Sequence, residues 1–254
     1  MSSFYSLTKT QRIELVSEIN ADVHSGIQKK NQQALITYFS DEDTYIRKAA
    51  YQAVGKIYQE KEGLQKKTLA TLTSLLKSEN FHVRQTVINA AGEIGMKDFD
   101  AVEHFFDLAL FDHHHTVRNA VIGSVKKMGQ KNPKPVLRWA KKYLHHTDKE
   151  VRREICHGIE LRGRTHPQDI LPLLKELQND KTARVRDTLV HVLGQISYKK
   201  GCLETVVTDL NSWQNKELTK AAMEEIIDVH ERYRDFAVLS QKQAIQYIQK
   251  HFKK

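Results

Sequence analysis

The sequence predicts an all-α superhelix, a solenoid of about six stacked helix pairs, and three observations predict it. First, a β-branched apolar residue followed by Arg recurs as Ile46-Arg47, Val83-Arg84, Val117-Arg118, Val151-Arg152 and Val185-Arg186, with Arg-to-Arg spacings of 37, 34, 34 and 34. One more step of 34 from Arg186 reaches Lys220. A period of this length means one supersecondary unit copied along the chain. Second, each Arg opens an apolar stripe at helical spacing; after Arg186 it runs Val185, Leu189, Val192, Leu193 and Ile196. Third, 11 Gly and 4 Pro in 254 residues are too few for a turn-rich sandwich or barrel.

Taken in order, residues 1–30 are expected to cap the array. Thr10 to Asn20 reads as a helix with Ile13, Leu15, Val16 and Ile19 apolar. The repeats are expected over 31–235, with 236–254 as a C-terminal cap, all in one domain of 1–254. The second helices carry the stripes Ile46, Ala50, Ala53 or Val54, and Ile57; Val83, Val87, Ala90 or Ala91, and Ile94; and Val117, Val121, Val125 and Met128. Asp43, Asn80, His114 or His115, Asp148 and Thr182 stand where helix N-caps belong. Ile170, Leu171, Leu173, Leu174 and Leu177 mark a first helix closed by Asn179-Asp180, and Gly194 gives the following repeat room to approach. Two helices over 220–252 end the chain, with Ala244, Ile245, Tyr247, Ile248 and Phe252 sealing the last repeat.

The segment LPLLKELQNDKTARVRDTLVHVLGQIS resembles a HEAT repeat, with its apolar first helix, Pro172, Asp-containing turn and Val-Arg start of the second helix. FHVRQTVINAAGEIG and TYIRKAAYQAVGKIY follow the same pattern, and the resemblance spans about residues 30–235. It implies a curved array whose second helices line the concave face. The repeated Arg then has two readings: a structural ladder to the Asp of its own or the next turn, or a row of guanidinium groups offered to phosphate.

Charge departs from the periodicity. Residues 126–164 hold 12 Lys/Arg against 4 Asp/Glu, nearly the whole of the chain's +9. Such a concentration attracts a polyanion. In the same stretch the fourth repeat loses register, because Arg162 occupies the apolar position filled elsewhere by Ile57, Ile94, Met128 and Ile196. An unpaired buried Arg is costly, so the second helix is expected to end near Leu161, with Arg162 and Arg164 pointing outward. All four prolines fall in or beside this zone.

Residues 136–201 also resemble the HEAT-like bacterial DNA glycosylases that excise alkylated purines, through Trp139-Ala140, Arg152-Arg153, Gly158, the Arg162-x-Arg164 run and Asn179-Asp180. The catalytic pattern of that family is not preserved. His157 stands where those enzymes place a carboxylate, and no aromatic follows Arg164. The resemblance implies a DNA-binding protein contacting phosphates through Lys126, Lys127, Arg152, Arg153, Arg162, Arg164, Lys199 and Lys200, without efficient base excision. An adaptor for an acidic protein segment is the first alternative. A divergent glycosylase using Glu154, Glu160 or His157 is the second.

Other chemistry is sparse. Cys156 and Cys202 lack the paired spacing of zinc or redox motifs. Three consecutive residues, His113-His114-His115, cannot face one ion from a regular helix and read as a turn, so no metal and no cofactor is expected. His157 and His191, 34 residues apart, read either as a proton shuttle or as a stacked groove-lining pair. Trp139 either stacks on a base or packs between repeats. No phosphate-cradling Gly loop or nucleophile elbow occurs. With no secretory apolar segment and no bilayer-length apolar run, a soluble, cytoplasmic monomer is expected.

Overall fold

The computed structural model describes residues 4–253, so residues 1–3 and 254 of the expected caps lie outside it. Among the described residues every regular element is a helix, and no helix is long and apolar enough to cross a membrane. The chain divides into two compact units at Asn132/Pro133. The first holds α1 (Lys9–Lys29), α2 (Gln32–Phe39), α3 (Thr44–Glu60), α4 (Gln65–Leu75), α5 (Phe81–Gly95), α6 (Glu103–Ala109) and α7 (His115–Lys131). The second holds α8 (Pro133–Tyr143), α9 (Lys149–Gly158), α10 (Glu160–Gly163), α11 (Pro167–Glu176), α12 (Ala183–Gln195), α13 (Cys202–Leu210), α14 (Lys216–Arg232) and α15 (Gln241–His251).

Local chemistry sets the helix ends. The α1 helix starts at a reciprocal Thr8–Gln11 capping box. It runs well past Asn20 because Val23, Gly26 and Ile27 continue its buried stripe, and it stops at Lys30, which takes a left-handed conformation. Asp43, Asn80, His114 and Asp148 each accept a backbone N–H as second-helix caps. Thr182 occupies the cap position of α12 without a capping bond; its hydroxyl instead accepts from Arg152 at 3.3 Å.

In the first unit α3 packs on α5 and α5 on α7; in the second α9 packs on α12 and α12 on α14. The predicted stripes opening at Ile46, Val83, Val117 and Val185 are buried, and Leu218 on α14 is buried with them. Close approach explains Gly194: a Cβ there would lie 2.5 Å from Glu225 Cγ and 3.0 Å from Val229 Cγ2 on α14.

The repeated Arg is a staple. Each guanidinium turns back to the carbonyls that precede its own helix: Arg47 to Asp41 and Glu42, Arg84 to Ser78 and Glu79, Arg118 to Asp112 and His113, Arg152 to His146 and Thr147, Arg186 to Asp180. Arg84 and Arg152 reach the next repeat as well. Arg84 binds Asp112 through Nε (2.8 Å) and Nη2 (3.0 Å), and Arg152 binds Asp180 in the same fork at 2.6 and 3.0 Å. Burial alone would raise the Asp112 and Asp180 carboxyls, but their Arg partners and the backbone amides of His114 and Thr182 hold them below the usual range.

Candidate nucleic-acid interface

The fourth repeat is built around its break. Its second helix stops at Gly158 and resumes as the single turn α10, so the chain stays helical to Gly163 instead of fraying near Leu161. Arg162 and Arg164 do not point outward. Arg162 grips Asp169 in the first turn of α11, with Nε–Oδ2 at 2.7 Å. Arg164 donates to Glu160 Oε1 through Nε at 2.9 Å and to Gln195 Oε1 at 2.9 Å. These carboxylate partners offset the desolvation penalty that argued for exposure. The glycine between them is required by packing, since a Cβ on Gly163 would fall 2.3 Å from Ile170 Cδ1 and 2.7 Å from Ile196 Cγ2.

The remaining site candidates divide between the two units. In the first, Lys126 is half-buried; Lys127 is exposed, 3.5 Å from Glu93 and over the Tyr51 ring. In the second, Arg152 is the staple to Asp180. Arg153 binds Glu150 at 2.9 Å and lies 3.6 Å from Glu154. Lys199 donates to the Phe236 carbonyl and sits over the Tyr198 ring, while Lys200 is exposed. The four arginines of 152–164 are therefore all engaged by acidic partners.

The exposed charge is on the first helix of that repeat. Lys134, Arg138, Lys141 and Lys142 fall at i, i+4, i+7 and i+8 of α8, opposite the buried Val136, Trp139 and Ala140, and all four are exposed. Helical spacing in PKPVLRWAKKY carries this signal, although the Arg-rich run downstream is the more conspicuous. Lys141 lies 3.3 Å from Glu176, which a hydrogen bond with His145 and the Lys141 charge hold below the usual carboxylate range. Trp139 is 1% exposed and packs on Tyr143 with ring centroids 5.2 Å apart, so it offers no stacking platform to a base.

The catalytic candidates form a separate polar cluster. Glu160 is 1% exposed; Arg164 holds its Oε1, and His157 Nε2 lies 3.1 Å from its Oε2. His157 meets His191 edge to face, and His191 Nδ1 lies 3.5 Å from Glu225 Oε1. One ligand atom each from His157, Glu160 and His191 lies within 4.8 Å of the others. Glu154 is buried beside Arg153. A carboxylate clamped and shielded in this way is poorly placed to meet a sugar cation arriving from solvent. Cys156 and Cys202 are free, and burial pushes both thiols above their ordinary value.

A family model described as HEAT repeats matches residues 33–126. Residues 33–126 carry the HEAT-repeat pattern. Among the described residues the helices run as six pairs, α2–α3 through α13–α14. The HEAT fold is shared with AlkD2 from Streptococcus mutans, at 18% identity and a TM-score of 0.57, covering 77% of this chain and 97% of that one. It is also shared with crescerin, whose TOG domain array regulates microtubules in the primary cilium, at 17% identity and a TM-score of 0.50, covering 76% and 88%. At these identities the likeness is one of fold. No curated protein matches the sequence.

Proposed function

We propose that this HEAT-repeat protein is a scaffold that binds the phosphate backbone of DNA, duplex or branched, without efficient base excision. The exposed stripe of Lys134, Arg138, Lys141 and Lys142 on α8 carries the reading. It presents four cations along one helix face, within the stretch that holds nearly all of the chain's net charge. Lysine and arginine on such a face neutralise phosphates and release condensed counterions. Lys200 and Lys127, both exposed, are further candidate contacts. Arg152, Arg153, Arg162 and Arg164 hold the fourth repeat in shape. The resemblance of 136–201 to alkylpurine glycosylases supports DNA as the polyanion, and the clamped state of Glu160 supports binding without excision.

Fluorescence anisotropy of a labelled duplex tests this. Saturable binding at low salt, lost by about a hundredfold between 50 and 200 mM, is the expectation for roughly four phosphate contacts. Absence of binding at low salt would overturn the reading. Binding of an acidic peptide in place of the duplex would assign the adaptor role instead.

A further inference from the structure

We propose that His157, Glu160 and His191 bind one divalent transition-metal ion of the zinc class. This cluster is separate from the proposed DNA-binding stripe and shares no residue with α8. The three ligand atoms lie within 4.8 Å of one another. Tetrahedral coordination at metal–ligand distances of roughly 2.0–2.2 Å needs them about 3.4 Å apart. Small rotations of two partly exposed imidazoles close that gap.

The repeat period builds the cluster. His157 on α9, His191 on α12 and Glu225 on α14 follow at intervals of 34 residues, one position carried across three adjacent second helices. Their side chains therefore line up, and the two imidazoles meet with ring centroids 6.2 Å apart. Glu160 joins them from the next turn, its Oε2 directed at His157 Nε2.

The surrounding groups suit a metal. Glu225 approaches Nδ1 of His191, which leaves Nε2 for the ion; a carboxylate on the far nitrogen orients a ligating imidazole and raises its basicity. Gly194 leaves the space in which Glu225 lies, and Arg232 pairs with the same carboxylate. Arg164 binds Oε1 of Glu160, while Oε2 lies 3.1 Å from His157 Nε2 in the cluster. Two imidazole nitrogens and one carboxylate oxygen favour Zn²⁺, Co²⁺ or Ni²⁺ over Ca²⁺ or Mg²⁺. The half-buried histidines leave a fourth position for water.

The test uses the full chain after chelator treatment, titrated with Zn²⁺ or Co²⁺. One ion per chain, a raised melting temperature with Zn²⁺ and a visible Co²⁺ band of four-coordinate strength are expected. His157→Gln and His191→Gln should each weaken binding at least tenfold, and Glu225→Gln by tenfold or more through loss of the outer partner. Glu160→Gln risks misfolding because it strips Arg164 of a buried counter-charge, so the half-exposed histidines carry the test, with circular dichroism as the folding control. His113→Gln/His115→Gln should leave binding unchanged. Absence of binding, or binding that survives both His157→Gln and His191→Gln, would overturn the proposal and assign any bound ion to other surface histidines.

Discussion

Replacing Arg152 by Met separates scaffold from interface. The guanidinium makes two bonds to Asp180, two to the carbonyls of His146 and Thr147 and one to the Thr182 hydroxyl. Methionine keeps the apolar stem and removes all five. The Asp180 side chain, 7% exposed, then keeps its charge without its cation. Breaking a buried pair on one side costs about 3–5 kcal/mol. The lower end, about 3 kcal/mol, applies here because the Thr182 amide still donates to Asp180 at 2.8 Å. Urea unfolding at neutral pH should show this as a lower midpoint with an unchanged slope. The gap should also close in acid. The folded Asp180 carboxyl titrates below its unfolded value of 3.8, so its contribution is complete above about pH 4 and is lost as pH falls through the folded value. DNA binding by the folded variant should keep its salt slope. A variant as stable as the wild type, or a salt slope reduced by about one, would refute the assignment of Arg152 to structure.

Three further outcomes follow from packing and burial. Gly163→Ala should destabilise by about 1–3 kcal/mol in the same assay, because Ile170 and Ile196 leave no room for the methyl group. Burial lowers His230 below the ordinary value of 6.5, with Nδ1 2.8 Å from the Ile226 carbonyl. Stability should therefore be full above about pH 6.5 and fall as pH drops from there through the folded value; His230→Gln should flatten that part of the profile, measured by urea unfolding at stepped pH. Gln178→Ala should cost about 1–3 kcal/mol in thermal or urea unfolding, since the backbone amides of Gln214 and Asn215 both donate to its side chain.

The fold was legible because a repeat writes its contacts locally. The 34-residue interval, the stripe after each Arg and the caps at Asp43, Asn80 and Asp148 all lie within one helix pair. Charge was legible too, and the ladder reading of the repeated Arg included a partner such as Asp180 in the next turn, but the partner of Arg162 was not legible. Asp180 stands 28 residues beyond Arg152, and Asp169 belongs to the next helix pair after Arg162. An Arg in an apolar register therefore looked expelled, when a carboxylate from the following helix had come to meet it. Trp139 sits in a basic run, where stacking on a base was one of two readings, yet its helical position turns it inward. The α8 stripe was present in the spacing of four residues and was masked by the denser arginines downstream. The 34-residue spacing of His157 and His191 and the i,i+3 spacing of His157 and Glu160 were both visible, whereas the ties of Glu160 to Arg164 and of His191 to Glu225 were not singled out.

The salt dependence of duplex binding for Lys134→Ala/Arg138→Ala/Lys142→Ala, set beside the wild type, tests the central claim most directly. If α8 carries the phosphate contacts, the log–log slope should become shallower by about three while unfolding stability stays near that of the wild type. An unchanged slope would contradict the account and return the phosphate contacts to other basic residues.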